Sequence, residues 1–460
     1  MNLEQLRKQA KELVRRARER DPQALARLGD LPVRLASAQL VLAREHGYSS
    51  WPALAHALEA SVESFVVAAT SGRRARADRL LAARPDLEQD RWVRLVLGHG
   101  WDGDANEVGA PRGWAPLHYA CHSTYAPVEL ARELLARGAD PNAFFPNESG
   151  PMSALYGAAG VLHDPELTRA LLEAGANPNA EPWFGDALYH SVESESPECM
   201  SMLLAAGVRA NGTNALAHAL DYDFLEHVRI LLEAGADPNE GASVAHAVRR
   251  GRGPEFVRLL AEHGADLDRP GGETWRGDVP LRTPYQHAVL RSRDDVAAVL
   301  AELGASTQVD EGDLAVAAVA LGERPESPPL ELDPDRQEVL VLAALQGGQA
   351  ELVVELFGAG FRGVVGGSPE GTLLHHAAWV GDADLVARLL ELGADPVASS
   401  GAEFDTPLAW AFLDSRSWRV PGRDFVRVAE LLVAAGAELE PRFEEVAEGP
   451  LQDWLSERLE

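Results

Sequence analysis

The sequence predicts an all-α solenoid of repeated helix-turn-helix units, on two linked observations. The first is a recurring segment. Residues 228–239 read VRILLEAGADPN, and versions of this stretch return as LLARGADPN ending at Asn142, LLEAGANPN at Asn179 and LLELGADP at Pro396. Looser copies stand at Gly207 (LLAAGVRAN), Gly264 (LLAEHGADLD), Gly304 (VLAELGAS), Gly360 (LFGAGF) and Gly436 (LLVAAGAEL). Each is the end of an amphipathic helix: Leu167 and Leu171, for example, fall on one face at i, i+4. Gly175 then closes that helix in the left-handed conformation that a residue with a Cβ resists. The polar residues after the glycine are expected to turn the chain outward.

The second observation is a capping segment ahead of these helices. It reads APLHYAC at Ala115, SALYGA at Ser153, DALYHS at Asp186, TPYQHA at Thr283, TLLHHAA at Thr372 and TPLAWA at Thr406. Thr, Ser or Asp in the first place caps a helix N-terminus, Pro in the second fits its first turn, and small residues further in admit close helix contact. The pattern resembles the ankyrin repeat, a β-turn plus two antiparallel helices of about 33 residues. The resemblance covers residues 63–439 in about ten units. It implies an ankyrin-repeat solenoid with an N-terminal helical module and a C-terminal capping helix.

Residues 1–60 form the N-terminal module. A basic helix runs to about Arg20, Asp21-Pro22 restarts the chain, a helix from Leu35 to His46 is closed by Gly47, and another opens at Ser50-Trp51-Pro52. The stretch LASAQLVLAREHGYSSWPAL resembles a short helical leader found before ankyrin repeats in some bacterial proteins. Its expected task is to cap the apolar end of the first repeat. Arg15, Arg16, Arg18 and Arg20 suggest an anion or nucleic-acid contact, but Glu4, Glu12 and Glu19 on the same helix can pair with them.

Degenerate units fill residues 61–100, with RPDL where GADL would stand. From Gly138 to Gly436 the closing glycines are separated by 37, 32, 28, 29, 40, 56, 33 and 43 residues. The gap of 56 hides a worn unit, DLAVAAVALGE at Asp313, and a Pro/Glu-rich connector, RPESPPLELDPD. That connector reads as a soft joint. The expected organisation is therefore a leader over 1–60, repeats over 61–322, a connector over 323–336, repeats over 337–439 and a cap helix over 440–460.

Net charge is −29, and the first 60 residues, with ten basic and seven acidic side chains, do not share in it. The array is strongly anionic. Such a field disfavours nucleic acid and membrane surfaces and favours a basic partner, the alternative being acidity that only keeps a long solenoid soluble. With 46% hydrophobic residues there is material for a long core, yet no apolar run spans a bilayer. The N-terminus lacks an apolar signal core, and Cys121 and Cys199 form no disulfide framework, so a reducing cytoplasm is the expected compartment.

Motifs for chemistry fail on context. Residues 98–103, GHGWDG, match GxGxxG, but no helix starts after them. Asp102, Asp104 and Asn106 open like a calcium loop, yet Glu107 stands where the turn glycine belongs and Gly113 where the closing Glu belongs. His118, Cys121 and His122 have zinc-like spacing on one helical face. The resemblance implies instead that His118, like His375, ties adjoining turns together by hydrogen bonds, with Cys121 a packing residue. No catalytic residue, metal ligand or cofactor is expected, and the chain reads as a non-enzymatic monomer.

What the resemblance implies is partner capture by loop tips and inner helices. The tips after Asn142, Asn179 and Asp268 are extended, while those after Asn211 and Asn239 are short, which suggests a notch. Phe144, Phe145, Trp183 and Phe184 would form one wall and Trp275 the other, the alternative being that these rings fold back over the neighbouring helices. Glu181, Asp186, Glu193, Glu195, Asp221, Asp223 and Glu273 would supply an acidic rim. The expected function is capture of a basic protein or peptide. Alternatives are an immunity-type inhibitor acting as an acidic mimic, and a small-molecule binder or cryptic enzyme using the notch as a pocket.

Overall fold

A computed structural model of the chain describes residues 3–109, 111–145, 152–179, 186–272, 280–323, 333–345, 364–365, 371–399, 405–414, 423–440, 443 and 449–458. These residues form short helices joined by tight turns, with two-residue strand pairs at Phe144–Phe145 with Met152–Ser153 and at Val364–Val365 with Gly371–Thr372. The copy of the closing segment at Gly360 lies outside the described residues. The chain divides into two compact units, Met1–Ser243 with Glu262–Ala265, and Val244–Ala261 with Asp266–Glu460.

In the first unit the leader helices are Leu3–Arg18, Pro22–Leu28, Leu35–Glu45 and Trp51–Glu59. Asp21 caps the second by accepting from the Gln23 and Ala24 amides at 2.8 and 3.0 Å. Leu13, Val14, Ala24, Leu28, Ala38 and Leu42 give the leader an apolar core of its own. Its last helix packs against the Arg74–Ala83 helix of the first degenerate unit. Two arginines of the basic helix are engaged: Arg15 meets Glu12 and Glu19 at 2.7 and 2.6 Å, and Arg16 meets Asp21 at 2.6 Å.

The repeats that follow bury one leucine face after another. Leu134, Leu167, Leu171, Leu203 and Leu231 are all fully buried. At the end of the Pro165–Glu173 helix, the Gly175 amide donates to the Leu172 carbonyl at 3.0 Å and the Ala176 amide to the Leu171 carbonyl at 2.9 Å. This is a Schellman closure, and it places Gly175 at φ 90°. A Cβ there would meet nothing within 4 Å, so backbone conformation alone demands the glycine.

The residues after the closing glycine do more than turn the chain outward. Asp140 accepts from the Asn142 amide at 2.9 Å, which folds the turn back on itself. The Asn142 amide nitrogen then donates to the Gly175 carbonyl of the next repeat at 3.1 Å, and its oxygen accepts from the Asn177 amide at 2.7 Å. Asn179 repeats this with Gly207 and Arg209 at 2.8 and 2.9 Å, and Asn211 with Gly235 and Asp237 at 3.1 and 2.6 Å. Asn239 reaches the Gly264 carbonyl at 3.3 Å. The ladder begins at Asn106, which holds Gly138 and Asp140 at 2.8 Å each. Residues 102–106 are thus the first rung, which accounts for the departure from a calcium loop.

In the second unit, Asp268 accepts from the Ser306 amide at 2.7 Å. Being acceptor-only when ionised, a carboxylate supplies half of the asparagine bridge. A different device holds these repeats. Arg282, 5% exposed, makes a two-point contact with Asp313 at 2.9 and 3.0 Å, and reaches Asp333 at 2.6 Å and Asp335 at 3.3 Å. Arg336 joins Asp313 at 2.8 Å. Burial works against the charge on Arg282, but its bonds to Asp313 and Asp333 outweigh this and raise its pKa. Burial likewise works to raise that of Asp333, and the Arg282 contact overrides it, leaving the carboxyl below its ordinary 3.8.

This network moves the expected edge of the connector. A helix begins at Pro334, and Asp333, Asp335 and Arg336 are pinned into the array rather than forming part of a soft joint. At the far end, Leu451, Trp454 and Leu455 of the Gly449–Arg458 helix join the core built from Leu373, Leu385, Leu408, Phe412, Val428 and Leu432.

Two outcomes follow from these two devices. Asn142→Ala is expected to destabilise the flanking repeats by about 1–3 kcal/mol, two neutral hydrogen bonds being lost; hydrogen exchange of the Val128–Ala136 and Pro165–Glu173 helices measures it. Arg282→Met strands buried carboxylates and is expected to cost about 3–5 kcal/mol. Because Asp333 is held below 3.8, its contribution is present above that pH and lost as pH falls through its lowered folded value. Exchange protection of the Glu311–Ala320 helix should therefore collapse in acid in the wild type and lose that dependence in Arg282→Met.

Candidate functional site

Successive inner helices of the first unit carry a row of rings. His122 lies 5.9 Å from Tyr156, Tyr156 lies 5.3 Å from His190, and His190 lies 6.3 Å from His218, all between ring centroids. Tyr189 stacks flat on His218 at 3.9 Å, and Tyr222 meets His218 edge-on at 5.4 Å. The row draws on different positions of successive repeats, and within it His190 and His218 are the equivalent pair. His190, Glu193 and Glu195 are followed 28 residues later by His218, Asp221 and Asp223, the same step that separates Gly207 from Gly235.

That register brings four titratable side chains together. His190 Nδ1 and His218 Nε2 both donate to Glu193 Oε1, at 2.6 and 3.0 Å, while His218 Nδ1 donates to Asp221 Oδ2 at 3.2 Å. Desolvation opposes the charged form of His218, but Asp221 and Glu193 outweigh it and its pKa rises above 6.5. Desolvation also works to raise that of Glu193; the His218 and His190 hydrogen bonds prevail and lower it. The side chains remain partly open to solvent, His190 at 32%, Glu193 at 30% and His218 at 12%. Glu195 and Asp223 are exposed beside them.

A search for spacing within single elements passes over this cluster, since its members come from two repeats. The signal in the sequence is the pair HSVESE and HALDYD, in register at the repeat interval. The zinc-like spacing of His118, Cys121 and His122 resolves otherwise. His118 Nε2 donates to the Ala143 carbonyl at 2.8 Å, as His375 Nε2 does to that of Asp405 at 2.9 Å. Burial pushes the His122 imidazole down to about 3 and the Cys121 thiol well up, so neither is poised to take a charge or lose a proton at neutral pH. His122 lies against Gly157, where a Cβ would come within 2.4 Å of its ring.

The GxGxxG segment is likewise occupied. Arg137 donates to the carbonyls of Trp101 and Gly103, and Trp101 is buried beneath Arg91 at 4.0 Å. Its backbone turns carbonyls, not amides, to its neighbour.

Of the expected partner contacts, Phe144 is 38% exposed, but Phe145 is 4% exposed and packs on Trp114 with ring centroids 4.1 Å apart. Successive strand residues face opposite sides, so the two phenylalanines cannot both be anchors, and Phe145 is corrected to a core residue. Asp221 is half-buried beside His218, and Asp186 opens the Asp186–Ser191 helix. Glu181, Trp183, Phe184, Glu273 and Trp275 lie outside the described residues.

The family model for ankyrin repeats (3 copies) matches residues 155–242, and the single ankyrin repeat model matches 112–144 and 371–400. The chain carries ankyrin repeats. Among solved structures, the human ASB11 ankyrin repeat domain is 23% identical, over 52% of this chain and 96% of that one, with a TM-score of 0.37. The ankyrin repeat domain of Bcl-3, described as a unique member of the IkappaB protein family, is 25% identical over 52% and 97%, with a TM-score of 0.35. No curated protein sequence matches the chain. Ankyrin repeats are protein–protein interaction modules, and no helix among the described residues is long and apolar enough to cross a membrane.

Since Gly157 admits the His122 ring against the ankyrin backbone, Gly157→Ala is expected to overpack this contact. The loss should be about 1–3 kcal/mol, measured as reduced exchange protection in the Pro116–His122 helix of the full chain.

Proposed function

We propose that this ankyrin-repeat chain captures a basic protein or peptide on the inner helices of residues 155–242. The reading is carried by one observation: partly buried aromatic rings that contact one another from repeat to repeat, with acidic groups at a 28-residue interval beside them. Tyr156, Tyr189 and Tyr222 are partly buried rings, rigid and amphipathic, the kind of side chain that anchors interfaces. Exposed Glu195 and Asp223 supply charge that steers and orients an Arg- or Lys-bearing segment, supported by the anionic array as a whole. Phe144 offers a further exposed ring in the same unit. The partner-binding roles of Asp186 and Asp221 belong to the same proposal.

Peptide display on the full-length chain tests this. Arg/Lys-rich peptides should be enriched, their affinity should fall with rising salt, and Glu195→Arg with Asp223→Arg should weaken capture about tenfold or more. Both positions are exposed, so helical content should be unchanged. Enrichment of neutral or acidic peptides, or full capture by the double variant, overturns the reading.

A further inference from the structure

We propose that the first unit binds a divalent transition-metal ion of the zinc class between two neighbouring repeats, ligated by His190 Nδ1, Glu193 and His218 Nε2. Among the described residues these three offer ligand atoms that all lie within 4.8 Å of one another. They already converge on one point, because both imidazoles direct a nitrogen at the same Glu193 oxygen, at 2.6 and 3.0 Å. In the metal-free state each of those contacts needs a proton on the ring nitrogen. A metal ion replaces the protons, taking a lone pair from each neutral imidazole and an oxygen of the carboxylate. With metal–ligand distances of about 2.1 Å, tetrahedral neighbours stand about 3.4 Å apart. The two contacts to Glu193 therefore lengthen by less than about 1 Å, and the two imidazole nitrogens, within 4.8 Å of each other, draw together by at most about 1.4 Å.

Three further features fit the ion. Asp221 Oδ2 lies 3.2 Å from His218 Nδ1, so a carboxylate holds the ring nitrogen that faces away from Glu193 and leaves Nε2 as the ligating atom. Tyr189, stacked on His218 with an interplanar angle of 2°, fixes the plane of that ring. Glu193 and Asp221 bring two negative charges to a dication, and two imidazoles favour zinc, cobalt or nickel over calcium or magnesium. The partial exposure of His190 and Glu193 leaves a path for entry and a fourth position for water. The two histidines sit in equivalent places of two repeats, so their spacing is set by the packing of neighbouring helices.

The test uses the full-length chain without a polyhistidine tag, stripped with chelator and titrated with zinc chloride by calorimetry. One equivalent should bind, and millimolar calcium or magnesium should not displace it. His190→Gln with His218→Gln should weaken binding more than 100-fold, and Asp221→Asn about 10- to 100-fold with the stoichiometry kept. Circular dichroism checks that the variants fold. In the wild type, one equivalent of zinc should shift the ring resonances of His190 and His218, a readout that does not depend on any variant. Absence of zinc binding, retention of the site in the double histidine variant, or shifts confined to other histidines overturns the assignment. The site uses neither Glu195 nor Asp223, so failure of zinc binding and failure of peptide capture are separate results.

Discussion

The interaction on which the first unit depends is the asparagine bridge between repeats. A helix end leaves carbonyls without partners, and a closing glycine exposes one more. In this chain the amide of Asn106, Asn142, Asn179 or Asn211 bonds the closing glycine carbonyl of the following repeat and receives an amide two residues further on. Each rung fixes one repeat against its neighbour at a distance set by two hydrogen bonds. Apolar burial makes the helices associate; the bridge fixes their register.

Register is what gives the surface its chemistry. A histidine, a carboxylate and an exposed acid at equal positions in neighbouring repeats come to lie side by side, and the cluster of His190, Glu193, His218 and Asp221 is the product. Gly157 serves the same end, since the chain can lie against His122 only where no Cβ intervenes. The second unit uses another solution. Where asparagine gives way to Asp268, neighbouring repeats are joined by the buried contacts of Arg282 with Asp313, Asp333 and Asp335. Such a network is sensitive to loss of one partner, because the remaining charges stay desolvated.

Much of the architecture was legible in residue order. The helices of the leader, the closing glycines among the described residues and the helix of the worn unit at Asp313 follow from local rules about caps, glycine and apolar spacing, and they stand where those rules put them. The site was less legible. Phe144 and Phe145 look alike in a polar loop, and the strand that sends one outward and the other onto Trp114 exists only once Met152–Ser153 pairs with it. The asparagine after each closing glycine reads locally as a turn former, although its partners lie about one repeat away.

The sequence by itself determined the repeat, its helix ends, its leucine spine and the acidity of its array, because each of these is written within a few consecutive residues. Tertiary structure alone decided which side chains meet. His190 and His218 are 28 positions apart and touch the same carboxylate, Arg282 reaches 53 residues on to Asp335, and Phe145 leaves the surface. Contacts of that range depend on the stacking of one repeat on the next, a geometry that no short window of the chain contains.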